Sequence, residues 1–123
     1  MLKEIIQILK TSSVIKEIVK TELDAIGEDH FVLKVICNIT SDAKLQIFIH
    51  KNLSTIRYSY QFYADKPLYR WDNAPHFPKI KTYHHHFHVG SKQIDGSPLK
   101  GEPSEDLEYI LKLVKEKKMK IGE

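Results

Sequence analysis

The sequence predicts an α+β fold: N-terminal helices, an antiparallel meander sheet of about four to five strands, and a C-terminal helix packed on one face. Three observations point there. Apolar residues recur at helical spacing before Gly27, alternating apolar and polar runs joined by short turns fill residues 30 to 63, and an amphipathic run closes the chain. With 123 residues and 41% hydrophobic content, the chain is long enough to bury a core without cross-links. It therefore reads as a single domain over 1–123, with a helical segment at 1–27, a sheet at 30–89 and a helix at 104–120.

In the first segment, Leu2, Ile5, Ile6 and Leu9 keep helical spacing, and Ile15, Ile18, Val19 and Leu23 resume it in a shifted phase. The phase break falls at Thr11-Ser12-Ser13, residue types that cap helices, so two short helices or one kinked helix are expected. Phe31, Leu33, Val35, Cys37 and Ile39 then alternate with polar neighbours in a half-buried strand. Ser41-Asp42-Ala43-Lys44 reads as a turn into a second strand carrying Leu45, Ile47 and Ile49. In the third, Ile56 to Tyr63, the even positions are apolar or aromatic while Arg57, Ser59 and Gln61 face the other way.

Ala64 to Pro67 turns the chain into a fourth strand, Leu68 to Trp71, and residues 83–89 supply a fifth after a proline-bounded loop at Pro75 to Pro78. Residues 90–103, rich in Gly, Pro, Ser and Asp, read as an irregular connector. Ser104 is placed to cap the last helix, in which Glu105 and Asp106 suit the positive N-terminus and Leu107, Ile110, Leu111 and Val114 form the apolar stripe.

The formal charge of +3 is too small for a general polyanion binder, and no apolar run reaches the roughly 20 residues that cross a bilayer. One cysteine, Cys37, forms no internal disulfide and fits a reducing, cytoplasmic setting. Only two of the nineteen basic residues are arginines, Arg57 and Arg70, both near the central strands, and the guanidinium fork suits phosphate.

The chemistry should lie between Tyr69 and Gly90, which holds five of the seven histidines beside Arg70 and Asp72. If residues 83–89 are extended, His84, His86 and His88 project to one side, and Tyr83, His85, Phe87 and Val89 to the other. Two chemistries compete. Metal-free phosphodiester cleavage needs one imidazole to take a proton, another to give one, and an arginine to stabilise the phosphorane. A transition metal is the alternative, with His84, His86 and His88 as ligands and His76 or Asp72 as a further one, although no established zinc signature is present. Aromatic residues Tyr58, Tyr60 and Trp71 could stack unpaired bases, although packing in the core explains them more simply. A non-enzymatic module that docks protein or nucleic acid uses the same face with histidines as hydrogen-bonding groups.

Tyr58-Ser59-Tyr60, the block Tyr69-Arg70-Trp71-Asp72-Asn73-Ala74-Pro75-His76, and Thr82-Tyr83 leading to His85-His86-Phe87-His88-Val89 together resemble the TumE family of small toxins, over about residues 30 to 115. His84 departs from the family's pattern, where proline is frequent. The resemblance implies a helix-turn-helix antitoxin as partner and marks Arg70, Asp72, Asn73, His76, His85, His86 and His88. Small toxins of helix-helix-sheet order, such as the RelE/ParE group, often cleave RNA, which is a fold-level analogy. The resulting expectation is a cofactor-free ribonuclease with His76 or His86 as base, His88 as acid, Arg70 as phosphate clamp and Asp72 as orienting group. Arg57, Tyr58, Tyr60, Trp71, Asn73, His85, Lys79 and Lys81 are the expected RNA-binding residues, and a homodimer is a further expectation.

Overall fold

The computed structural model describes residues 1–75, 79, 81–91 and 93–120, the last three of these by backbone alone. Its elements run α1 (Leu2–Thr11), β1 (Glu17–Gly27), β2 (His30–Asn38), β3 (Lys44–Lys51), β4 (Ile56–Tyr63), β5 (Pro67–Asp72), β6 (His86–Val89), β7 (Gln93–Gly96) and α2 (Pro103–Lys120). Among the described residues seven strands form one sheet in sequence order, each antiparallel to the next. The fold is α+β, but the expected four to five strands become seven.

β2, β3 and β4 bury every second residue, which is the pattern of strands with one face in the core. Phe31, Leu33, Val35 and Cys37 from β2, Leu45, Ile47 and Ile49 from β3, and Tyr58, Tyr60 and Phe62 from β4 are all nearly inaccessible. They join one core with Leu2, Ile5 and Leu9 of α1 and Leu107, Ile110, Leu111 and Val114 of α2, so both helices cover the same face. Each such side chain contributes about 1.5–3 kcal/mol by burial.

α1 ends where Ser12 turns extended, and its start is held by the N-terminal amine, which pairs with Glu4 at 3.0 Å and Glu28 at 3.1 Å. α2 begins one residue before the expected cap. Pro103 occupies the first helical position, where its missing N–H costs nothing, and Ser104 already lies inside. Asp106 reaches back to accept the N–H groups of Lys100, Gly101 and Glu102, at 2.8 Å from Gly101.

Three expectations fail at the sheet's margins. The strand expected over 83–89 is β6 at His86–Val89 alone, with Tyr83 and His84 in a turn, so His84 does not share a strand face with His86 and His88. The second helix of the 1–27 segment is instead β1, whose β-branched Ile18, Val19 and Thr21 disfavour helix. Val19, Thr21, Leu23 and Ala25 alternate with Lys20, Glu22 and Asp24, a period-two signal that the helical spacing of Ile15, Ile18, Val19 and Leu23 masked. The helix-helix-sheet order shared with the RelE/ParE group falls with it. The connector 90–103 contains β7, a four-residue strand reached through Gly90 at φ 62°, a left-handed turn conformation that favours glycine. Its apolar content is too small to announce a strand.

Candidate active site: a carboxylate between two histidines and an arginine

β5 and β6 build the site by strand alternation. Trp71 and Tyr69 turn to the helix-covered face, where Phe87 stacks against them with ring centres 5.0 and 5.8 Å away. Arg70 and Asp72 consequently turn to the open face. The register pairs Asp72 with His86 and Arg70 with His88, so four functional side chains meet across two strands. No long-range folding accident is needed; one hairpin register assembles the group.

Asp72 is its centre, with a side chain only 5% exposed. Oδ1 lies 2.7 Å from His86 Nε2 and accepts the Ala74 N–H at 3.0 Å. Oδ2 accepts from Arg70 Nε at 2.9 Å and lies 3.3 Å from His88 Nε2. His86 is buried, and its Nδ1 lies 3.1 Å from the His84 carbonyl oxygen, so both ring nitrogens face oxygen acceptors. An imidazole with one N–H donates to one such oxygen, whereas an imidazolium donates to both.

His88 and Arg70 are more open, with side chains 22% and 44% exposed. Burial pulls the His88 imidazole below its ordinary value, opposed by the neighbouring Asp72 carboxylate and reinforced by His86 and Arg70. The group lines a cleft of about 310 Å³ with Gln61, Pro67, Ala74, Gly90 and Ser91. A second cleft of about 250 Å³ adjoins it, sharing Arg70, Asp72 and Ala74 and adding Phe48, His50, Arg57 and Ser59.

The other residues singled out in the sequence divide by strand face. Tyr58, Tyr60 and Trp71 are at most 2% exposed within the core, which leaves no ring face for a stacked base. His85 lies on the helix side, where Nδ1 is 2.8 Å from the Tyr58 hydroxyl and the two rings stack. It supports the sheet from behind, away from His86 and His88. Asn73 acts as a clamp: its side chain accepts from Tyr58 N at 2.9 Å and donates to Ile56 O at 2.8 Å, extending the β4 pairing beyond the last residue of β5. Arg57 lies in the second cleft. Lys79 and Lys81 are exposed, and His76 lies outside the described residues.

The alternative metal set changes membership. Among the described residues, the group whose ligand atoms gather within 4.8 Å is Asp72, His86 and His88, while His84 is exposed and outside it. A cation there would meet the Arg70 guanidinium already held against the same carboxylate, an unfavourable neighbour for a second positive charge. Sequence reasoning passed over His50 as a site residue. Its signal was available, since it occupies the non-core phase of β3 beside Ile49 and pairs with Arg57 across the ladder.

The site is thus a buried carboxylate between two histidines and an arginine, set in an open cleft on the sheet. A family model described as Toxin TumE matches residues 5–118, and the chain belongs to that family of toxins. No curated protein and no solved structure matches it. Among the described residues no helix is long and apolar enough to cross a membrane.

Proposed function

We propose that this toxin acts on RNA as a metal-independent ribonuclease and that the cleft centred on Asp72 carries the reaction. The observation that supports this most is the pairing of an accessible, neutral-leaning imidazole, His88, with an accessible guanidinium, Arg70, on one buried carboxylate. His88 removes the proton from a ribose 2′-hydroxyl, and the 2′-oxygen attacks phosphorus. Arg70 stabilises the charge gathering on the phosphorane. The bond to the 5′-oxygen breaks, leaving a 2′,3′-cyclic phosphate and a 5′-hydroxyl once that oxygen takes up a proton.

The expected roles change here: His88, expected as the acid, becomes the base. His86, buried with both nitrogens engaged, suits the positioning of Asp72 better than the direct proton abstraction first assigned to it, and Asp72 in turn orients His88 and Arg70. His76, expected as a base, becomes the candidate for the second proton transfer. The adjoining cleft, with Arg57 and His50 at its wall, suits the phosphate of a neighbouring nucleotide. Membership of a toxin family also supports the proposal of a helix-turn-helix antitoxin as partner.

The test is incubation of tag-free protein with mixed cellular RNA, with and without EDTA, beside the His86→Ala/His88→Ala variant. Cleavage that survives EDTA and disappears in the variant is the expected result. Cleavage abolished by EDTA would favour the Asp72, His86 and His88 group as metal ligands. Unchanged cleavage by the variant would overturn the assignment, and intact RNA throughout would favour the binding-module alternative.

A further inference from the structure

We infer that β1 is the docking surface for a second copy of this chain, the two β1 strands pairing antiparallel about a two-fold axis at Thr21. β1 pairs with β2 on one side only and ends the sheet, so its other side presents backbone N–H and C=O groups. It is eleven residues long and exposed throughout. Native sheets usually keep such an edge short or charged; this one is long, carries Glu17, Lys20, Glu22 and Asp24, and among them exposes Ile18, Val19 and Leu23 at 40, 52 and 46%.

The charges select the occupant. In a two-fold antiparallel pair the strand is read against its own reverse, and the register is fixed by whichever residue sits on the axis. With Thr21 on the axis, Lys20 faces the second copy's Glu22, and this match occurs twice within the regular run Lys20 to Ala25. Placing Lys20, Glu22 or Asp24 on the axis opposes each to itself, and placing Leu23 there opposes Glu22 to Asp24. Directly opposed like charges destabilise a ladder. Ala25 on the axis overlaps only the end of the strand. Val19 on the axis falls at the irregularity between Ile18 and Lys20, whereas Lys20 to Ala25 form the regular run. Within one copy Lys20 Nζ already lies 3.0 Å from Glu22 Oε1, so the two copies together form a two-by-two quartet of alternating charges.

Sedimentation velocity of the full chain tests this, together with Lys20→Glu, Glu22→Lys and the double variant. Wild type should sediment at twice the 14.4 kDa chain mass, each single variant at one chain mass, and the charge-swapped double variant again as a dimer. An equimolar mixture of the two single variants should form a heterodimer, which also shows that both are folded. A wild type that stays monomeric at about 100 µM overturns the inference. So does a dimer indifferent to all three substitutions, which would use another surface, or an edge that pairs only with an added antitoxin.

Discussion

The Asp72 carboxylate ties both strands of the cleft together, and its charge is what the neighbouring groups respond to. Asp72→Asn keeps the shape and removes the charge. Cleavage should fall by about 10²- to 10⁴-fold, the range for disrupting positioned proton transfer. Asp72 also raises the His88 pKa against the effect of burial, so His88 should titrate lower still in this variant, which NMR of the imidazole protons would record. In the wild type His85 and His88 are both pulled below 6.5 by burial. Between those folded values and 6.5 the unfolded chain binds more protons, so stability rises with pH there and is lost as pH falls through the folded values. The urea midpoint should accordingly be lower at pH 5.5 than at pH 7.5; a midpoint that rises on acidification would contradict the assignment. Cys37 has its thiol pushed up to about 11 by burial, and a native chain should resist thiol reagents until denatured.

At the scale of elements, legibility in the sequence follows burial. β2, β3 and β4 announce themselves because one face is in the core, and Ile47 or Tyr60 can alternate only with residues that face away from it. β1 is masked rather than silent: Val19, Thr21, Leu23 and Ala25 alternate with Lys20, Glu22 and Asp24, but Ile15, Ile18, Val19 and Leu23 also fit a helical spacing, and with neither face buried no core pattern separates the two. β7 is silent because four residues around Gly96 carry too little hydrophobicity. The site is readable as a set of residue types, and the alternation that separates His86 and His88 from Phe87 and Val89 is also readable. What the sequence cannot supply is the register that places Asp72 opposite His86, or the depth that makes His86 buried rather than exposed. The Asn73 clamp is similarly invisible, because its partners are backbone groups fifteen and seventeen residues away. Asn73→Ala leaves Tyr58 N and Ile56 O without that side chain and should cost about 1–3 kcal/mol in denaturant unfolding. It should also lower cleavage more than that stability loss explains, since Asn73 follows Asp72 directly.

Over the whole molecule, the two helices rigidify one face of the sheet, and the other presents both clefts. Truncating the support should therefore weaken the fold before it alters the chemistry. Ile110→Ala, deep in the α2 interface, should cost about 2–5 kcal/mol while the folded fraction keeps normal cleavage. The candidate cleft lies on one face, and the edge strand β1 lies at the far end of the sheet from β6. The dimer inferred at β1 would leave both copies' clefts open.

The most direct measurement compares an RNA oligonucleotide with the same oligonucleotide carrying a 2′-deoxy sugar at the cleaved position, both in EDTA. The account predicts that the all-ribose strand is cut to a 2′,3′-cyclic phosphate by wild type, that His88→Ala and Arg70→Ala lose the cut, and that the deoxy strand survives intact. Cleavage of the deoxy strand, or full activity in the His88 variant, would contradict the claim that this cleft uses the 2′-hydroxyl as its nucleophile.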